Sequence, residues 1–406
     1  MMSILQVKFL APLRLTASLI PALVLAGTLS AQTSINVVYV ESNIGKTTSQ
    51  NSVYAYSNSA GKLTQLKGSP YLTGGTGVFS STPLMAPGFM ADQEIVVNKA
   101  NTLLFAVNGH TNTVTTFAIN SDGSLTKTSS AASNGQDPVS LGLAETSPAG
   151  DQLTVVNQNA DPGQTGGTPN LTSFDVSSSG VLTMVKNSTV DYTAGSEPSQ
   201  ALVSPSNKFV FATQFMGGGA LTSYDIGAGG LLVLNNSLIP TKGTVFLGAA
   251  AHPKLRAVYV GLPDVNMIGT YTYSTAGVMA FSHLTVDPGQ QVGWMTTDSK
   301  GTVLYTAEPS SNSVTVYQIS GSNFTKPKQL QHLALKTGGE ATNLKLDPTG
   351  AFLYVLALNN PPGGTGNFLH VLNVSSTDGS LTETLAPVSI PVPSGEIPQG
   401  LAVALK

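Results

Sequence analysis

The chain has 406 residues, no cysteine, and a formal net charge of −3 that becomes −5 once Lys8 and Arg14 are subtracted. Those figures exclude a disulfide framework, a thiolate metal site and a cysteine nucleophile, and leave no basic patch for nucleic acid or an anionic membrane surface. With 42 glycines, 24 prolines and 41% hydrophobic residues, the composition suits a large core crossed by many turns, not a disordered chain.

In chain order, the first feature is a leader. Lys8 and Arg14 precede an apolar run over 15–29, broken only by small residues and Pro21, and small residues surround Ala26 and Ala31. This is the pattern of a secretory signal peptide over 1–31; the shortness of the run and Pro21 favour a leader over a membrane anchor. The expected product is an exported protein, periplasmic or secreted. It would be a monomer of one domain over 32–406, with no membrane insertion after leader removal.

The remainder repeats. Short runs rich in Val, Leu, Phe and Tyr, bounded by Gly, Pro, Asn and Asp, are strands. They recur in fours, A to D, with copies starting near 93, 139, 199, 246, 292 and 341. The first copy, 36–67, lacks strand A, and 398–405 is a strand A without a copy of its own. Joining the two completes a seventh unit. The predicted fold is therefore all-β: a seven-bladed β-propeller of four-stranded antiparallel blades, the ring closed by the C-terminal strand pairing with the N-terminal blade.

Tight turns such as Asp347-Pro348-Thr349-Gly350 join A to B, and turns such as Asp122-Gly123 and Asp378-Gly379 join C to D. These should share one face of the disc. The insertions fall in the B–C and D–A connections, on the other face: 43–51, 68–92, 158–169, 188–198, 216–219, 359–366 and 387–397. Loops on a rigid scaffold are where binding and catalysis concentrate.

The repeated unit is Gly-x-x-Pro, an apolar strand, a Pro-containing turn, then Phe-x-Tyr-Val. It is seen at Gly195 to Gln214, Ala251 to Val260, Gly301 to Tyr317 and Asp347 to Val355. This unit resembles the seven-bladed lactonase family, which includes 6-phosphogluconolactonases and a muconate cycloisomerase and is close to the YVTN-repeat propellers. The resemblance implies hydrolysis of a carboxylic ester within a ring, and Glu308 matches a family glutamate after strand B. The family's Gly-Pro-Arg-His entry to strand A is missing, however. Ser199-Gln200 and Gly293-Trp294 stand in those places, and Arg256 is the only arginine after the leader. Without Arg forks a phosphosugar is a poor fit, and an uncharged sugar lactone or related cyclic ester is the better substrate.

Candidate residues gather where loops meet the inner strands on the long-loop face. Asp137, Glu197 and Glu340 occupy one step of three blades and Gln291 that of a fourth, so they should ring the mouth of the central channel. Converging carboxylates can act as general acid or base, or hold Ca or Mg there; otherwise they satisfy backbone N–H groups at the loop–strand junction. Asn108, Asn157, Gln214, Glu308 and Asn359 end B strands on the same face, as does Glu41. Glu308, Glu197 and Glu340 are the candidate bases, and His110 the candidate acid/base helper. Asp137, Gln200, Gln291 and Trp294 are candidate ligand contacts with the B-strand amides, Trp294 being equally suited to the core. The competing reading is a non-catalytic propeller that binds a glycan or a protein partner on this face.

Overall fold

The computed structural model describes residues 35–79, 91–358 and 366–406. The expected leader, Asn359 and parts of the connections after 68 and 359 lie outside the described residues.

Seven antiparallel sheets form among the described residues. Blade 1 joins Gln399–Leu405 to Asn36–Glu41, which pairs with Ser52–Ser59 and then Lys62–Gln65. The register runs from Asn36 opposite Leu405 to Glu41 opposite Gln399, so the ring is closed as the orphan strand requires. Blades 2 to 7 follow the A–B–C–D order, with inner strands Ile95–Val97, Pro138–Ser147, Pro198–Val203, Ala249–Ala251, Met295–Thr297 and Glu340–Leu346. Each inner strand lies beside the next in a closed circuit that returns to Gln399–Leu405.

The B strands are apolar on both sides because both sheet faces are covered by neighbouring blades. In Asn36–Glu41 the alternation of side chains sends Val37 and Tyr39 into the core shared with blade 2, and Val38 and Val40 into the core shared with blade 7. Every gap between blades holds one such cluster. The C–D turns latch one blade to the next. Tyr39 donates from its hydroxyl to the Gly123 carbonyl at 2.8 Å, and Tyr305 donates to that of Gly379 at 3.0 Å. Both glycines have positive φ, and a Cβ on either would come within 2.6 Å of a valine on the preceding blade, so only glycine seats there.

The inner strands of blades 5 and 6 are shorter than the apolar runs over 246–251 and 292–297 predict. Gly248 donates its N–H to the Gly293 carbonyl at 3.0 Å, and a Cβ on Gly248 would meet that oxygen at 2.6 Å. This bond joins the two inner strands directly, while each still bonds its own B strand, Gly261 N–H donating to Gly248 O at 2.9 Å and Gly293 N–H to Ala307 O at 3.1 Å.

The channel is crossed by Ala91–Glu94. Asp92 N–H donates to Ser199 O, and Leu141 N–H donates to Gln93 O at 2.9 Å. The Trp294 indole N–H donates to Ala91 O, and the Asn343 amide to Asp92 Oδ1 at 3.1 Å. Four residues therefore bond the inner edges of blades 3, 4, 6 and 7.

Candidate functional site

His110 lies in the short B–C link of blade 2, just beyond Leu103–Asn108. Its Nδ1 stands 2.7 Å from Asp161 Oδ2; the His110 side chain is 44% exposed and that of Asp161 only 2%. Asp161 comes from another blade, on the B–C insertion of blade 3. It opens the turn Asp161-Pro162-Gly163-Gln164, in which its Oδ1 accepts the Gly163 N–H at 2.8 Å. Gln164 Nε2 donates to Asp161 Oδ2 at 3.0 Å and to the His110 carbonyl at 2.6 Å. The insertion is thereby tied across blade 2. His110 Nε2 bonds no described residue. A carboxylate on Nδ1 keeps the proton there and leaves the Nε2 lone pair facing outward, the arrangement a general base needs.

Asp137 sits behind this pair, fully buried. Its N–H donates to Asn112 Oδ1 at 2.8 Å, Asn112 in turn donates to Gln164 Oε1 at 2.9 Å, and Asp137 Oδ2 accepts the Ala160 N–H at 3.2 Å. Burial, with Asp161 and Glu197 as like charges, pushes the Asp137 carboxyl up to about 7. Asp137 also lines a cavity of about 10 Å³ with Glu41, Glu94 and Gln399, room for about one water. Asp137 Oδ1, Glu41 Oε2 and Glu94 Oε1 are buried and bond no described residue. Desolvation raises Glu41 and Glu94 well above the ordinary carboxyl range, Asp92 adding to the effect on Glu94. Among the described residues, no three acidic or imidazole side chains are spaced to hold a metal ion; these carboxyls are arranged to keep protons.

The repeated acids at the loop–strand step have a backbone role. Asp137, Glu197 and Gln291 all adopt left-handed φ, as does Gln93 at the matching place in blade 2. The Asp137 carbonyl accepts Gln158 N–H, and that of Glu197 accepts Phe215 N–H at 2.9 Å. Burial raises the half-buried Glu197 carboxyl as well. Glu340 opens the inner strand of blade 7 opposite Leu358, and there the left-handed residue is Gly339. Gln291 Oε1 accepts Ser310 Oγ–H at 2.5 Å.

Glu308 belongs to a separate, closed cluster. Its oxygens accept Thr306 Oγ–H at 2.6 Å and Ser313 Oγ–H at 2.8 Å, and the residue is fully buried. Asp287 stands beside it, accepting Tyr317 O–H at 2.7 Å; desolvation first and Asp287 second raise Glu308 well above its usual range. Trp294 is 1% exposed, its indole held by Ala91 in the core setting. Gln200 donates to Gln93 Oε1 at 2.8 Å and to Ala249 O at 3.1 Å, so it fastens the segment that crosses the channel. Asn108 donates to Thr113 and Thr115 while accepting from Asn51. Asn157 donates to Ser133 O and Asn170, and Gln214 to Met216 O. Asn359 lies outside the described residues. The structure therefore brings His110 and Asp137 together around Asp161, a residue the sequence does not single out, with Glu197 near enough to Asp137 to act on its charge.

The family described as "Lactonase, 7-bladed beta-propeller" matches residues 163–384, just over half of the chain. This protein belongs to that family. Among solved structures it is similar to the periplasmic gluconolactonase of Pseudomonas aeruginosa: 14% identity, 91% of this chain and 99% of that one covered, TM-score 0.70. A provisionally assigned 6-phosphogluconolactonase of Bacteroides uniformis gives 13% identity, 92% and 100% coverage and a TM-score of 0.69. A protein from Lactobacillus plantarum gives 16%, 92%, 99% and 0.67. At these identities the likeness is one of fold. No curated protein matches the chain.

Proposed function

We propose that this protein hydrolyses an uncharged lactone on its long-loop face, with His110 as general base. The observation that carries the reading is the half-exposed imidazole whose Nδ1 is held by buried Asp161 at 2.7 Å while Nε2 bonds no described residue. In the proposed step His110 Nε2 takes a proton from water, and the hydroxide forms a bond to the lactone carbonyl carbon. The ring C–O bond then breaks, and the imidazolium returns its proton to the alkoxide, giving an open-chain hydroxy acid. Asp161 is a positioning residue that stabilises the imidazolium.

A neutral substrate is supported by the place of Arg256, whose Nε donates to Tyr273 O at 3.2 Å beside the turns of the opposite face. Export is part of the same reading, supported by the leader pattern and by the likeness to a periplasmic gluconolactonase. The test is acid release in a pH-stat from a panel of sugar and aliphatic lactones. At least one neutral lactone should turn over with saturation, faster than in buffer. A well-folded protein inert to the whole panel would refute the reading.

A further inference from the structure

The opposite end of the channel holds a pocket the lactonase reading does not use. It measures about 390 Å³ and opens on the short-turn face. Its walls come from late positions of the inner strands, among them Val97, Leu143, Leu202 and Val403. Val97, Leu143 and Leu202 are only half-buried: each packs against a core between blades and also borders this space. Gln93, on the crossing segment, closes the pocket from inside, and Lys99 and Glu145 stand at its rim.

Lys345 borders this space, whose lining is aliphatic along the inner strands and polar at Gln93, Lys99, Glu145, Ser204 and Asn207. Residue alternation along Glu340–Leu346 puts Lys345 on the side of Asn343, which bonds Asp92, and opposite Leu344, which packs in the core between blades 6 and 7. The Lys345 ammonium makes no hydrogen bond, and no ion pair within 4.0 Å, to any described residue; the residue's backbone pairs with Tyr354 in the ladder. It is open to the pocket, yet hemmed in by protein closely enough that desolvation lowers its pKa, with Asp92 opposing the shift. The Asp92 carboxylate is already engaged: Oδ1 accepts the Gln93 N–H at 2.8 Å and the Asn343 amide at 3.1 Å. Asp92 thus offsets the lysine charge from a distance without occupying its donors. A lysine without a side-chain partner beside aliphatic residues is an incomplete pair, ready for an anion.

We infer that the short-turn end of the channel binds a small monocarboxylate with an apolar body, its carboxylate on the Lys345 ammonium and its chain along Val97, Leu143, Leu202 and Val403. The ligand class is an aliphatic or alicyclic acid, and the site is separate from the His110–Asp161 pair.

The test is calorimetric titration of the full chain with octanoate, and with octanamide as its uncharged counterpart. Octanoate should bind wild type saturably, and octanamide roughly tenfold or more weakly, as loss of a charge-assisted bond requires. Lys345→Met, which keeps the aliphatic stem, should weaken octanoate by a similar factor and leave octanamide unchanged. Leu202→Gln should weaken both ligands, and His110→Ala neither. Because a charged ligand favours the charged amine, octanoate binding above neutral pH should take up protons, seen as buffer-dependent heat. Absence of octanoate binding to folded wild type, or equal affinity in Lys345→Met, would overturn the inference. Octanoate binding lost in His110→Ala but kept in Lys345→Met would place the acid at the other site.

Discussion

Two histidine–carboxylate pairs occur among the described residues, and each has Nδ1 at 2.7 Å from an acid oxygen. His110 with Asp161 sits on the long-loop face with its ring 44% exposed; His370 with Glu383 is fully buried, its Nε2 without a partner. The shared bond therefore says nothing about function. What separates the pairs is where the second ring nitrogen points, outward in one and into the wall of blade 7 in the other. Their parent strands explain this. His370 lies inside Phe368–Val374, where both sheet faces are covered, whereas His110 lies beyond a strand end and meets an acid delivered by an insertion.

The comparison breaks most sharply on activity. His110→Ala should lower lactone turnover roughly 10²–10⁴-fold with an unchanged melting temperature. His370→Ala should leave turnover per folded molecule intact and cost about 2–4 kcal/mol in denaturant unfolding, because it opens a cavity and strands Glu383. The reverse pattern would exchange their roles. Next in size, Asp161→Asn keeps the shape but no longer fixes the Nδ1 proton, so turnover should drop roughly 10²-fold with stability little altered.

The acids sharpen the contrast through pH. Asp137 is held near 7 against an ordinary value of 3.8, so the native state keeps a proton that the unfolded chain has released. Stability from this group then falls as pH rises from about 4 to about 7 and is flat above. Glu383 is lowered, so its contribution is present above its ordinary value of 4.5 and is lost as pH falls through the native value. The Glu383 oxygens accept from His370 and from Lys336 N–H, which favour the charged form over the opposing desolvation. Urea unfolding of Asp137→Asn against wild type should differ by up to about 4 kcal/mol more at pH 8 than at pH 4, with the variant gaining as pH rises. The smallest effect expected is for Glu308→Gln, within about twofold of wild-type turnover, since Glu308 acts as an acceptor for Thr306 and Ser313 in a closed cluster. A large loss there would move the active centre to blade 6.

Much of the fold was legible because its signals are local and repeated: tight turns, period-two strands, and an orphan strand matching a missing one. The polar step at Asp137, Glu197 and Gln291 was legible as a position, although its common property is a left-handed backbone, which sequence does not display directly. Asp161 was hidden because insertions have no counterpart in other blades. Its one signal was the string Asp161-Pro162-Gly163-Gln164, which recurs as Asp287-Pro288-Gly289-Gln290. In both copies the aspartate accepts the glycine N–H at 2.8 Å, but one copy arches over His110 and the other packs against Glu308 and Tyr317. Which of the two reaches an open surface depends on contacts between blades, and no repeat pattern encodes those. Lys345 was passed over for a related reason: an isolated lysine in an apolar strand reads as a solvated position until the ring closes around it.

That closure also sets a timetable for biogenesis. Residues 36–41 are made early, and their pairing partners, 399–405, emerge only after six other blades have been synthesised. Throughout elongation the first blade carries an unpaired edge and the nascent arc has two open ends, a template for pairing between chains. The finished ring thus depends on a contact between the most distant parts of the described chain, so its completion is a late and slow event. A cell making this protein must keep an incomplete arc from joining its neighbours until the seventh inner strand arrives.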